Sequence, residues 1–203
     1  MAGTTRTAAP DRGRNPLDAG PLYERVLGPR AAALHPQVAA LHRGASDVRA
    51  EGWMHVTRGD GLRCRIAAAA ARLPAPGTHV RIRLAITRDE DEERWVRQFG
   101  DTTAMVSRQT AGRAGELLER VGLLTFVFTL HTDGDLLRFD QGACQVRLAG
   151  LVLVIPPRWA PEVVAVVGPA PEGGVAVSVR IQSRWAGLLL GYDGTVAVQE
   201  RSR

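Results

Sequence analysis

Acidic, basic and aromatic side chains alternate along residues 93–100. Glu93, Trp95, Arg97 and Phe99 occupy every second position, so a β-strand would place all four on one face. A carboxylate, a guanidinium and two large rings are typical neither of a solvent face nor of an ordinary core. The pattern predicts a pocket wall in which Glu93 and Arg97 form a buried ion pair suited to proton transfer. The alternative interpretation is a structural salt bridge on the outer surface.

A second cluster of charged and titratable side chains lies on neighbouring predicted strands. Glu119, His131 and Arg138 could meet there, and a carboxylate within reach of an imidazole is suited to general acid–base catalysis. The alternative is cross-strand pairing on the surface, which contributes little to stability. The candidate catalytic residues are therefore Glu93, Arg97, Glu119 and His131.

Alternate positions of the same strands supply candidate ligand contacts. Ser107 and Gln109 share a face and could hydrogen-bond a ligand carbonyl. Ser107 lacks both a nearby base and a Gly-x-Ser-x-Gly elbow, which argues against a serine nucleophile. The predicted ligand-binding residues are Trp95, Phe99, Ser107, Gln109, Phe126, Phe128 and Arg138.

The sequence offers little support for a metal or nucleotide site. His35 and His42 could share a helix face, but Pro36 interrupts that helix and no third ligand is close. Cys64 and Cys144 stand alone, which fits a reducing cytoplasm better than zinc. Neither Gly-x-Gly-x-x-Gly nor a Walker motif occurs. We expect no metal and no cofactor.

Composition and charge narrow the class of protein. The chain has 203 residues and a net charge of +5, and all its basic residues are Arg, which indicates a GC-rich, actinobacterial genome. Since the Arg residues are dispersed along the chain, a nucleic-acid partner is not expected. No signal-peptide core is visible, and the apolar run near 148–157 is too short to span a bilayer. We expect a cytoplasmic protein without a membrane span.

Hydrophobic patterning predicts a mainly β (α+β) fold. We expect a disordered tail over 1–20 and a single domain over 21–203. This domain has a helical lead-in at 21–46, strands over most of 51–200 and an internal helix near 62–73. Nine or ten short strands without βα alternation predict an antiparallel β-barrel or strongly curved sheet, lipocalin-like in outline. The internal helix would pack against or plug the barrel, and residues 144–155 would form one strand. The predicted core or lumen wall comprises Val80, Ile82, Leu84, Phe126, Phe128, Val177, Val179 and Ile181.

Several blocks of sequence are shared with a known family. The segments 21–28, 34–36, 41–42, 56–59, 93–100 and 119–128, with Ser107, resemble a bacterial domain-of-unknown-function family, number 4166. The resemblance covers about Pro21–Tyr192. The family places a His-Pro pair at 35–36, which we interpret as an N-terminal cap or packing contact. Its members are often joined to an NAD(P)-binding oxidoreductase, which implies a separate NAD(P)-dependent oxidoreductase as a partner here.

These observations lead to two hypotheses about function. In the first, the chain is a cofactor-free enzyme that cyclises or isomerises an apolar biosynthetic intermediate by acid–base chemistry and preorganisation. In the second, it is a non-catalytic binder of a lipid-like molecule, or an accessory to a separate oxidoreductase. Both require a small apolar ligand, and both leave a homodimer open.

Overall fold

The computed structural model describes residues 20–43, 47–89, 91–101, 104–148 and 150–199. Apart from Gly20, the predicted disordered tail lies outside these residues. Three α-helices are described, and the segment between the first two, Gly28–Ala33, is a 3-10 helix. The helices are α1 Leu22–Leu27, α2 Pro36–His42 and α3 Leu62–Ala70. The strands are β1 Val48–Thr57, β2 Gly77–Arg88, β3 Glu92–Phe99, β4 Met105–Ala111, β5 Glu116–Val121, β6 Leu124–Asp133, β7 Leu136–Leu148, β8 Leu151–Val154, β9 Glu162–Pro169, β10 Val175–Ser183 and β11 Gly187–Gln199.

The strands form a closed antiparallel barrel. Each of β1 to β7 pairs with the next, β7 pairs with β9, and β10 and β11 lead back to β1. Ten strands therefore close the barrel, while β8 pairs only with the last residues of β7 and extends the sheet outside it. The predicted antiparallel barrel is confirmed.

The two ends of the barrel differ. The β2–β3, β4–β5 and β6–β7 turns lie at one end, which we call the helical end because the α1–α2 segment covers it. There the Arg30 side chain donates to the Leu130 carbonyl of β6 (3.0 Å). The Arg88 side chain at the end of β2 donates to the Leu41 carbonyl of α2 (2.8 Å). Since neighbouring strands are antiparallel, the β3–β4, β5–β6 and β7–β8 turns lie at the opposite end, the far end.

The α1–α2 segment, and not the predicted internal helix, fills the helical end of the barrel. Tyr23 and Leu41 are buried in the same apolar cluster as the inner faces of the strands. Helix α3 lies outside, against β11, with Leu62 and Ile66 exposed. Of the two predicted roles, the internal helix therefore packs against the barrel and does not plug it, because α3 has only the small residues Cys64 and Ala68 on its buried face.

The predicted lumen wall is largely correct. Period-two alternation points seven of the eight predicted residues into the barrel cavity, and Val80 packs against the core beside it. The predicted single strand over 144–155 is wrong, however. The chain reverses at Gly150 (φ 83°), and β8 returns along β7. A single glycine within an apolar run is a weak turn signal, and the turn at Gly150 was therefore not predicted.

Two smaller features complete the fold. The imidazole of His35 caps α2, since its Nδ1 accepts from the backbone N–H of Gln37 (3.3 Å), as the cap interpretation predicted. None of the helices within the described ranges combines the length and apolarity needed to cross a membrane.

Candidate ligand pocket

The barrel encloses a cavity of about 110 Å³. Since an apolar cavity of about 150 Å³ holds one benzene molecule, the space suits a small ligand of roughly benzene's size. The wall is mainly apolar, and its polar members cluster on one side. The side chains around the cavity are Tyr23, His42, Met54, Ile82, Leu84, Trp95, Arg97, Met105, Gln109, Glu119, Val121, Phe126, Phe128, Phe139, Val163, Ala165, Val167, Val177, Val179, Ile181, Tyr192 and Val196.

An ion pair on the adjacent strands β3 to β5 forms the polar side of the wall. The Arg97 guanidinium lies 3.2 Å from Oε1 of Glu119 and donates to Oγ of Ser107 (2.8 Å). It also lies 5.0 Å from the centre of the Trp95 ring, within cation–π range. Both ionic side chains are mostly buried. The cavity therefore holds a fixed positive charge beside a carboxylate.

Burial and charge act in opposite directions on Arg97. Removal from water is the largest single effect and lowers the pKa of Arg97, but the interactions with Glu119, Tyr192 and Tyr23 together outweigh it, so the pKa of Arg97 is raised. The guanidinium stays charged at every physiological pH. It can bind or polarise a carbonyl but cannot act as a base.

Glu93 does not pair with Arg97, and this part of the predicted site is wrong. Its Oε1 accepts from Arg88 (3.0 Å) and its Oε2 from the indole N–H of Trp95 (3.0 Å). Arg88 stands directly opposite Glu93 in the β2–β3 register, whereas Arg97 lies four positions along its own strand. Because Arg88 also bonds the Leu41 carbonyl, Glu93 anchors α2 behind the pocket wall. Burial raises the pKa of Glu93, although Arg88 opposes that shift.

His42 is the pocket residue that sequence reasoning missed. Its side chain is 1% exposed and lies among aromatic rings, with centroids 4.2 Å from Tyr23 and 5.4 Å from Trp95. Neither ring nitrogen has a hydrogen-bond partner among the described residues. Burial, with Arg88 and Arg97, lowers the pKa of His42 to about 3. The imidazole is neutral and can donate from one nitrogen and accept at the other.

A sequence signal for His42 was available. Val38, Leu41 and His42 have the spacing of one helix face, and all three are buried. This spacing indicated that His42 points into the protein. The interpretation of His42 and His35 as a possible metal pair did not take this spacing into account, and His35 caps the same helix.

Two tyrosines complete the polar groups. The Tyr23 hydroxyl donates to Oε1 of Gln109 (2.8 Å), and Tyr192 packs edge-on against Phe99 (5.3 Å). Burial raises the pKa of both hydroxyls, and the charges of Glu93 and Glu119 add to the rise at Tyr23. Both tyrosines therefore stay protonated. The single Tyr23 proton is donated to Gln109, whereas the Tyr192 hydroxyl at the cavity can donate to a ligand.

The second predicted constellation is not assembled. Glu119 points into the cavity, but His131 and Arg138 are exposed on the outer wall. His131 lies 3.4 Å from Asp140, and Arg138 lies 3.1 Å from Asp133. Strand parity is the reason: in β6 the even-numbered Phe126, Phe128 and Leu130 are buried, so His131 must face outwards.

The remaining predicted ligand contacts divide into two groups. Trp95, Gln109, Phe126 and Phe128 line the cavity. Phe99 and Ser107 are buried but are not among the lining residues. Across the described ranges, no three His, Cys, Asp or Glu side chains cluster in a way that could hold a metal ion.

The fold and cavity define this chain as a pocket-containing antiparallel barrel protein. The family described as Domain of unknown function (DUF4166) matches residues 34–196, most of the chain, and the chain therefore belongs to that family. No curated protein and no solved structure matches it.

Proposed function

We propose that this protein is a cofactor-free enzyme that binds a small apolar molecule in its barrel and isomerises or cyclises it. The observation that carries the proposal is the buried imidazole of His42 at the cavity, whose two nitrogens have no hydrogen-bond partner within the part of the chain that the structure describes. A buried polar group without a partner costs about 1–3 kcal/mol. A ligand hydroxyl or carbonyl bonded to His42 would remove that cost.

The wall limits what the ligand can be. Its apolar side chains favour a hydrocarbon body, and its volume favours a compact body of roughly benzene's size. The neutral imidazole, the Arg97 charge and the Tyr192 hydroxyl favour an oxygen substituent. A small cyclic or branched ketone, aldehyde or alcohol fits all of these requirements.

The polar wall has the groups that a proton-transfer reaction requires. In this proposal the Glu119 carboxylate accepts a proton from a carbon next to the carbonyl. Arg97 and His42 stabilise the negative charge that develops on the carbonyl oxygen. In a ligand with a carbon–carbon double bond next to that carbon, the enolate is a dienolate. Glu119 returns the proton at its far carbon, so the double bond moves into conjugation with the carbonyl, and the narrow apolar walls hold the ligand in the reactive shape.

The alternative function is a binder without catalysis, or an accessory to a separate NAD(P)-dependent oxidoreductase. One observation favours it: Oε1 of the Glu119 carboxylate already accepts a hydrogen bond from Arg97 (3.2 Å), so a ligand proton would have to compete with the guanidinium for that oxygen. In this case His42 and Arg97 would only orient the ligand.

The first experiment is native mass spectrometry of the purified protein, to detect and identify a bound molecule. We expect an adduct that is lost in His42→Leu and retained in the exposed control His131→Leu. The identified compound is then incubated with wild type, Glu119→Gln and the outer-wall control Glu162→Gln.

Product formation by wild type and Glu162→Gln, with loss in Glu119→Gln, supports the enzyme. Binding without any conversion supports the binder. Turnover that survives Glu119→Gln contradicts the proposed base, and an adduct that survives His42→Leu contradicts the proposed ligand contact.

A further inference from the structure

An exposed apolar hairpin projects from the barrel at the far end. All four residues of β8, Leu151 to Val154, are apolar, and each is between 48% and 66% exposed. A strand in water normally presents polar side chains on its solvent face and carries charge if it lies at an edge. This strand presents apolar side chains on both faces, which indicates that something other than water covers it.

Further exposed apolar side chains lie next to the hairpin. Leu148 ends β7 opposite Leu151, and both are exposed. Leu123, also exposed, lies in the β5–β6 turn, where its carbonyl accepts from the backbone N–H of Arg147 (3.2 Å). Trp159 follows the hairpin and is exposed too. Together these residues and β8 form one surface, the hairpin patch.

The charges within the hairpin patch are of one sign, and the next acidic residue along the chain is the exposed Glu162 at the start of β9. Neither residues 142–161 nor the adjacent residues 122–125 contain Asp or Glu. Arg147 and Arg158 are exposed, and the Arg158 guanidinium lies 6.0 Å from the Trp159 ring centre. A second copy of the chain at this surface would bring like charges together. The complementary partner is apolar and anionic.

We propose that the hairpin patch docks this protein on lipid bilayers that contain anionic headgroups. The side chains of β8, with Leu123 and Leu148, enter the boundary between headgroups and acyl chains. Arg147 and Arg158 bind the headgroup anions, and Trp159 takes the interfacial position that indole rings favour.

Docking at this surface also gives the barrel a defined orientation. Met105 and Val121 line the cavity and lie at the far-end limits of β4 and β5, the same end as the hairpin patch. The bilayer would then lie at the cavity end opposite α1 and α2. Resting on the proposed function, this placement lets an apolar ligand pass between membrane and barrel without crossing water.

The test is co-sedimentation with vesicles, which needs neither ligand nor turnover. One set contains phosphatidylglycerol and phosphatidylcholine in equal parts, and the other contains phosphatidylcholine alone. We expect tighter binding to the anionic set, weakened by high salt. Arg147→Gln and Arg158→Gln should each weaken binding to that set about fivefold. Leu151→Ser with Leu153→Ser should weaken it at least about tenfold.

The control replaces two exposed apolar residues on strands that do not adjoin β7 or β8, Trp53→Ser with Val106→Ser. It should bind vesicles as wild type does, and circular dichroism should show equal melting temperatures for all variants. Absence of vesicle binding by wild type, or an equal loss in the control, overturns the proposal. A concentration-dependent dimer that the Leu151 and Leu153 replacements dissociate, without vesicle binding, assigns the surface to a second copy instead.

Discussion

Replacing the buried imidazole with a hydrocarbon should remove a specific sensitivity to acid. In the folded protein His42 stays neutral down to a pKa of about 3, whereas in the unfolded chain it takes up a proton below its ordinary value of 6.5. Between these values the unfolded state binds more protons, so stability falls as the pH falls. The stabilising contribution is fully present above pH 6.5 and is lost progressively towards pH 3.

The size of the stability loss follows from the difference between the assay pH and the ordinary pKa of the imidazole. A pH of 5 lies 1.5 units below the ordinary imidazole pKa of 6.5, which applies in the unfolded chain. This difference corresponds to about 2 kcal/mol of lost stability at 1.36 kcal/mol per unit. His42→Leu should not show this loss. At pH 7 the variant should be at least as stable as wild type, because the removed nitrogens have no partner among the described residues.

The assay is urea unfolding at pH 7 and pH 5, followed by circular dichroism, for wild type, His42→Leu and His131→Leu. The last variant removes an imidazole that stays in contact with water on the outer wall, and it should follow wild type. The reasoning fails if His42→Leu loses as much stability between the two pH values as wild type does. It also fails if the variant is more than about 2 kcal/mol less stable at pH 7, which would indicate a hydrogen-bonded imidazole.

Three further predictions concern stability, two in the pocket and one between β1 and β11. Arg97→Met should cost about 3 kcal/mol in urea unfolding because it leaves the Glu119 carboxylate buried and unpaired. Arg97→Met combined with Glu119→Leu should recover most of that loss, and equal instability of the two variants would count against the pair. Tyr23→Phe should cost about 1–2 kcal/mol by the same assay, through the lost bond to a buried amide; an unchanged midpoint would contradict this. Gly52→Ala should lower the thermal midpoint sharply, because a Cβ there would overlap the backbone of β11, whereas Gly61→Ala has open space and should not. Similar midpoints for both would contradict the close approach of β1 and β11 at Gly52.

Periodicity in the sequence was sufficient to predict which residues face inwards on β3 to β6. Trp95, Arg97, Gln109 and Glu119 all lie in the barrel because strand side chains alternate, and alternation is a local property. The same parity, applied to β6, would have excluded His131. The antiparallel barrel itself also followed from strand spacing and the absence of βα units.

Pairing between side chains could not be predicted in this way. Glu93 bonds Arg88 rather than Arg97 because the β2–β3 register sets those two residues opposite each other. Register depends on where each strand begins and on the turn that joins the pair, and one residue of error changes every partner. The Arg97–Glu119 pair likewise spans three strands and is visible only in the closed barrel.

The sequence alone therefore determined the class of fold, the family resemblance and the inward faces of the central strands, because each depends on short-range patterns of residue type. Only the tertiary structure placed α1 and α2 across the barrel end, brought His42 to the cavity and separated β8 from the barrel wall. These features depend on contacts between distant segments, such as the bond from Arg88 to the Leu41 carbonyl. The energies of such contacts are set by burial and geometry that no local pattern records.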